Sequence, residues 1–241
     1  MAKIHTTLQG KGGVGKSLIA TTIAQYKVEK GQTPLCIDTD PVNASFAGFR
    51  SLGVKRLDIL KGDEINTRNF DTLIEMIATA SDDVVIDNGA SSFVPLSHYL
   101  ISNAVPVLLK SMGHELVVHT VVTGGQSLLD TVSGFSQLTK QFPEETIFVV
   151  WLNPLWGPVE SEGKTFQEMK AYRDNKDMVS AIIEIPSLKA ETFGFDLTEM
   201  LQDRLTFNEA INHPERTIMT RQRLAIIKSQ LFSQLDSASV L

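Results

Sequence analysis

One cysteine is all the chain has: Cys36, among 241 residues. A disulfide within the chain is therefore excluded. A metal cluster shared across a dimer is disfavoured, because it needs more thiolate ligands per subunit. So little cysteine fits a reducing compartment, and a cytoplasmic location is expected. An excess of basic charge is also missing: 22 Lys and Arg against 28 Asp and Glu leave a formal net charge of -6. A domain with a dedicated nucleic-acid surface usually carries the opposite sign, so DNA is a disfavoured partner, though a local basic patch stays open. No stretch approaches the ~20 uninterrupted apolar residues of a membrane span, and the N-terminus lacks the apolar run and cleavage site of a signal peptide. A membrane is not an expected partner. No linker, low-complexity tract or repeat interrupts the chain, and 42% of it is hydrophobic. Residues 1–241 are expected to form one domain around a sizeable core.

What the chain does have is Gly10-Lys11-Gly12-Gly13-Val14-Gly15-Lys16-Ser17, which fits G-x-x-x-x-G-K-[ST], the phosphate-binding loop pattern. An apolar stretch, Ile4 to Leu8, precedes it, and Leu18 to Ala24 reads as the start of a helix. A strand, a glycine-rich turn and a helix N-terminus together make an anion cradle. Gly12, Gly13 and Gly15 accept backbone angles that other residues resist. Backbone N–H groups then turn inward at a phosphate, and the helix dipole adds partial positive charge. Lys16 is placed to reach the β- and γ-phosphates, and the Ser17 hydroxyl to ligate magnesium.

Strands are predicted over residues 3–8, 34–38, 83–87, 105–110, 146–152 and 181–185. Several of these are near-continuous apolar runs, as strands buried on both faces of a parallel sheet should be. Helical patterns cover 16–30, 67–79, 93–101, 116–141 and 165–173. This alternation predicts a doubly wound α/β fold, a mostly parallel sheet with helices on both faces. Ligands of such sheets bind outside the carboxyl ends of the strands, where the candidate site residues cluster.

An ordinary P-loop does not require Lys11. Lys11-Gly12-Gly13-Val14-Gly15-Lys16-Ser17 resembles the deviant Walker A motif of the ParA/MinD family, ATPases that position plasmids, chromosomes and other cargo. The resemblance implies ATP and ADP as ligands, with Gly10 to Leu18 around the phosphates, and magnesium as the metal. It also implies slow, partner-stimulated hydrolysis and a homodimer that forms with ATP bound. In that dimer Lys11 reaches the partner subunit's nucleotide, while Lys16 serves its own.

Asp38-Thr39-Asp40-Pro41 follows the second predicted strand, so both carboxylates leave the strand end on one side. The family has a similar pair in its first switch, which implies that Asp40 orients the attacking water and Asp38 supports the magnesium shell. Asn43 is a weaker candidate beside them. From the residues alone, Asp40 also reads as a turn former before Pro41, and Asp38 as a structural cap. Val84-Val85-Ile86-Asp87 is an apolar strand ending in an acid, the Walker B form, and Asp87 would hold magnesium through water. The following Asn88-Gly89-Ala90-Ser91-Ser92 departs from the family, which usually has proline in this second switch. Asn153 ends a later strand. A comparable asparagine in the family hydrogen-bonds adenine, and an amide both donates and accepts. Asn153 also reads as a turn residue before Pro154. Pro186 lies where the family sets a loop against the base. An Asn-Lys-x-Asp signal for guanine is absent, which favours ATP over GTP.

Over more of its length the chain resembles the TraL-type proteins of conjugative plasmids, through residues 63–71, 94–99 and 120–125. That likeness implies a role in conjugal DNA transfer, with a protein partner in the transfer or a positioning system. Two other readings use the same loop. One is a metabolic ligase or kinase of the dethiobiotin-synthetase type, which needs a small-substrate pocket. The other is a partition ATPase that binds DNA non-specifically, with Arg216, Arg221 and Arg223 as the densest basic group. The chain enters its first strand at once, so no N-terminal helix-turn-helix is expected. Cys36 reads as core, Trp151 and Trp156 as packing residues, and His114 and His119 share no helix face for a metal. Residues 220–235, with Leu224, Ile227, Leu231 and Leu235 at helical spacing, are expected to pack on the sheet rather than lie on a membrane.

Overall fold

Seven parallel strands form the central sheet of the computed structural model, which describes residues 2–241. They are β1 Lys3–Thr7, β2 Leu35–Asp38, β3 Lys55–Arg56, β4 Val84–Asp87, β5 Glu115–Thr123, β6 Ile147–Asn153 and β7 Val179–Glu184. Their order is β7-β6-β5-β1-β4-β2-β3, with β1 at the centre. The helices are α1 Lys16–Glu29, α2 Asn69–Ala78, α3 Phe93–Ser102, α4 Val105–Ser111, α5 Leu128–Gln141, α6 Lys170–Arg173, α7 Phe195–Gln202, α8 Phe207–Asn212 and α9 Ile218–Ser237.

Side chains alternate across each strand, and this sorts the core into two layers. Val85, Val117, Val149 and Trp151 face α1 and α9, where Ile19, Ile23, Leu224 and Leu231 cover them. Ile4, Val84, Ile86 and Val118 face the other way, under Phe70 and Leu73 of α2, Leu96 of α3 and Leu109 of α4. The C-terminal helix α9 buries Leu224, Ile227, Leu231 and Leu235, as their spacing predicts. Among the described residues, no helix is long and apolar enough to cross a membrane.

Three expected elements are corrected. Residues 105–110 form α4, not a strand. Pro106 sits in its first turn, where a missing N–H costs nothing, and Ala104 enters it at φ 49. The true strand lies just beyond, in Glu115–Thr123, which a helix was expected to span from residue 116. Its Val117, Val118, Val121 and Val122 are β-branched and buried on both faces, and Gly124-Gly125 separates it from α5. Residues 165–173 form a single turn at Phe166–Glu168 and then the short α6. The edge strand β3 and helices α7 and α8 were not anticipated.

Candidate nucleotide-binding site

The loop after β1 carries the cradle. Gly13 at φ 72 and Gly15 at φ 104 hold left-handed angles that a side chain would strain. Gly12 has an ordinary angle but open space around it. Gly10 is required for a different reason: a Cβ there would lie 2.9 Å from the Phe93 ring. Helix α1 starts at Lys16 with no side chain capping its N-terminus. Its first N–H groups are therefore available to an anion. Lys16 is buried and donates from Nζ to the Lys11 carbonyl at 2.9 Å. Burial pushes its ammonium pKa down, while Asp87 and Asp40 pull it back up. Lys11 is half-exposed and pairs with Asp130 on α5 at 2.8 Å.

The acids converge on the same point. Asp38 and Asp87 are register partners on β2 and β4. Asp87 Oδ1 accepts from the Thr7 hydroxyl at 2.9 Å, whereas its Oδ2 is buried with no hydrogen-bond partner. Burial pushes the Asp87 carboxyl up to about 7. The Asp38 charge adds to that rise, and the Ser17 and Thr7 hydroxyls and Lys16 oppose it. An orphaned carboxylate oxygen near a serine hydroxyl and the uncapped helix end fits a divalent cation, which would hold the group ionised.

Asp38 is engaged differently. Its two oxygens accept the backbone N–H groups of Asp40 at 2.9 Å and Ala47 at 2.8 Å, pinning the segment that follows β2. Asp40 Oδ1 accepts from Val42 and Asn43, so its turn-forming character is real. Its carboxylate also lies against Gly89, where a Cβ would stand 2.6 Å from Oδ1. Asp40, Asn43, Lys16 and Ser17 line a cleft of about 620 Å³.

A second, mostly apolar cleft of about 660 Å³ adjoins it, lined by Asn153, Pro186, Leu18 and Leu197. Asn153 Nδ2 donates to the Val14 carbonyl at 2.9 Å, and its Oδ1 accepts from Leu155 N at 3.1 Å. It therefore braces the P-loop and caps its own turn, yet keeps one N–H and one lone pair for a ligand. Trp151 is buried as expected. Trp156 is half-exposed, with its Cβ against Gly125.

Three supports escaped sequence reasoning. Gln9 is buried and donates to the Val121 carbonyl, joining the loop to β5. Gly134 leaves room for it, since a Cβ there would come within 2.6 Å of Gln9 Oε1. Asn88 donates to Thr6 and accepts from Thr39 at 2.6 Å, locking the second switch to two strands. Thr7 holds Asp87. A polar residue at each strand end was the available signal.

A family model described as the CobQ/CobB/MinD/ParA nucleotide binding domain matches residues 6–212. The chain belongs to this family. Protein TraL of Escherichia coli is 71% identical to it over 241 residues, covering 100% of both chains. Among solved structures, MinD complexed with Mg-ADP from Pyrococcus horikoshii aligns with a TM-score of 0.54 at 18% identity, over 98% of this chain and 96% of that one. The MinC:MinD cell division protein complex from Aquifex aeolicus aligns with a TM-score of 0.54 at 15% identity, over 96% of each chain. At such identities the MinD likeness speaks for the fold. The seven-stranded parallel sheet with helices on both faces is that of the MinD/ParA nucleotide-binding domains.

Proposed function

We propose that the chain, acting as one unit over residues 1–241, is a magnesium-dependent ATP switch of the MinD/ParA kind that serves conjugal plasmid transfer. The observation that carries the nucleotide reading is the unpartnered Asp87 Oδ2, buried beside an uncapped, glycine-built helix N-terminus. The family membership and the Mg-ADP in the Pyrococcus relative support it. The transfer role rests on the full-length likeness to TraL.

In this reading, the amides of Gly13 to Ser17 receive the phosphates, and Lys16 exchanges the Lys11 carbonyl for them. Ser17 and Asp87 hold magnesium, which offsets charge on the β- and γ-phosphates when bound. Asp38 keeps the first switch in register behind that site. Asp40 orients a water toward the γ-phosphate, and such positioning is most of what phosphoryl transfer asks of a protein. Asn153 and Pro186 flank the adenine. Lys11 leaves Asp130 and crosses to the nucleotide of a second copy, so the dimer depends on ATP. A partner of the transfer machinery reads the difference between the two states.

Molar mass measured by light scattering tests this reading. Asp40→Ala should be monomeric with ADP and dimeric with ATP, and Asp40→Ala/Lys11→Ala should stay monomeric with either. The same mass in every state rejects the dimer mechanism. A TraL-bearing plasmid that transfers normally after deletion of the gene rejects the transfer role.

A further inference from the structure

Arg204 lies on the linker between α7 and α8, at φ 56, a left-handed angle that residues other than glycine seldom take. It lines both clefts of the nucleotide face. Gly13, Gly15, Leu18 and Leu201 also line both, so these five residues mark the junction between the phosphate half and the apolar half. The Arg204 stem lies on Gly48: a Cβ added there would stand 2.9 Å from its Cγ and Cδ. Gly48 closes the short turn Phe46–Gly48, which Asp38 pins through the Ala47 N–H. Arg204 takes part in none of the ion pairs among the described residues. Among the described residues its guanidinium makes one hydrogen bond, a long one from Nη1 to the Leu201 carbonyl at 3.4 Å. A guanidinium with five donors is thus nearly unused at the mouth of an anion site.

We propose that Arg204 is a binding and positioning residue that clamps the α-phosphate of a nucleoside di- or triphosphate, with Gly48 holding its stem in place. The inference rests on the nucleotide-binding reading above. With the β- and γ-phosphates in the P-loop and the base in the apolar half, the α-phosphate falls at the junction. A planar guanidinium fork suits phosphate oxygens in a way that an ammonium does not. The contact also ties the nucleotide to the first switch, because Gly48 and Asp38 belong to one pinned segment. Neither Arg204 nor Gly48 lies in a motif that sequence reasoning singled out.

Calorimetric titration of the full chain with Mg-ADP decides the matter. Arg204→Gln should bind about tenfold more weakly than the wild type, and Arg204→Lys a few-fold more weakly, since it keeps the charge without the fork. Gly48→Ala should weaken binding by displacing the stem, and the double variant Gly48→Ala/Arg204→Gln should be no weaker than Arg204→Gln alone. Arg204 is exposed, so the thermal midpoint without nucleotide should not move. If it does, Arg204→Lys supplies the deciding affinity. Wild-type affinity in both Arg204 variants overturns the clamp while leaving the nucleotide site intact. Independent, multiplicative losses in the double variant overturn the role of Gly48. Absence of Mg-ADP binding in the wild type overturns the nucleotide reading and the clamp with it.

Discussion

Lys11 Nζ and Asp130 Oδ2 stand 2.8 Å apart, and both side chains reach solvent, at 42% and 61% exposure. An exposed pair of this kind contributes about 0.2–1 kcal/mol. It restrains the lysine without committing it. Asp130→Asn should leave the thermal midpoint within about 4 °C of the wild type, given that small a contribution. In the Asp40→Ala background it should lower the protein concentration at which ATP brings two chains together. Sedimentation of the two proteins side by side checks this. A midpoint of association that stays put, or rises, rejects the restraint.

Asp87 carries a buried oxygen without a partner, an arrangement that favours a cation and disfavours the empty carboxylate. Asp87→Asn keeps the shape and removes the charge. ADP affinity of the wild type should fall on chelation of magnesium, whereas that of Asp87→Asn should be low and indifferent to chelator. Thermal stability without ligand should hold or rise in the variant, since a costly buried charge is gone. A variant that still tightens on ADP with magnesium removes Asp87 from the metal site.

Gly89 faces Asp40 at a distance that excludes a Cβ. Gly89→Ala must move either the second switch or the Asp40 carboxylate. Single-turnover hydrolysis should drop at least about tenfold, because a small displacement of a positioning group costs that much or more. ADP affinity should change little, as the cradle lies elsewhere. Equal losses in both would mean that the substitution disturbs the whole cleft.

His5 and His119 form a buried chain with Trp151. Trp151 Nε1 donates to His119 Nδ1 at 3.0 Å, so His119 carries its proton on Nε2 and donates to His5 Nδ1, also at 3.0 Å. His5 must then bear its proton on Nε2, which has no partner. Burial lowers both pKa values, that of His119 to about 3, and the Lys27 charge lowers them further. A folded-state pKa below the unfolded value of about 6.5 means that the unfolded chain binds more protons below that pH. The stabilisation is therefore full above pH 6.5 and is lost as pH falls toward the folded values, at about 1.4 kcal/mol per pH unit for each histidine. Urea midpoints between pH 7 and 5 should fall accordingly. Of the five histidines, the two rings of His5 and His119 should not titrate between pH 8 and 5 by NMR. Titration of all five would contradict the buried chain.

The strands and helices that were legible are those whose pattern is local. α1, β4, β6 and α9 announce themselves by uninterrupted or periodic apolar residues and by the turns that bound them. The exchange of strand and helix between residues 105 and 123 has one cause. Val105 to Lys110 and Leu116 to Thr123 are both apolar and short, and periodicity cannot tell a buried strand from a buried helical turn. Tertiary context separates them: Glu115–Thr123 finds β1 and β6 on either side, whereas Val105–Ser111 packs Val105 and Leu109 on the face of the sheet as a helix.

The phosphate cradle could be read from order along the chain, because its glycines, Lys16 and Ser17 are consecutive and act through backbone angles and one helix end. The Walker B acid was legible for the same reason, an apolar strand ending in a carboxylate. Contacts between residues far apart in the chain were not. Asp130 holding Lys11, Asn153 bracing Val14, Gly89 making room for Asp40 and Gly48 carrying Arg204 each join segments that meet only once the strands order themselves around β1. A one-dimensional pattern specifies which elements form. Which side chains share a cleft depends on that packing.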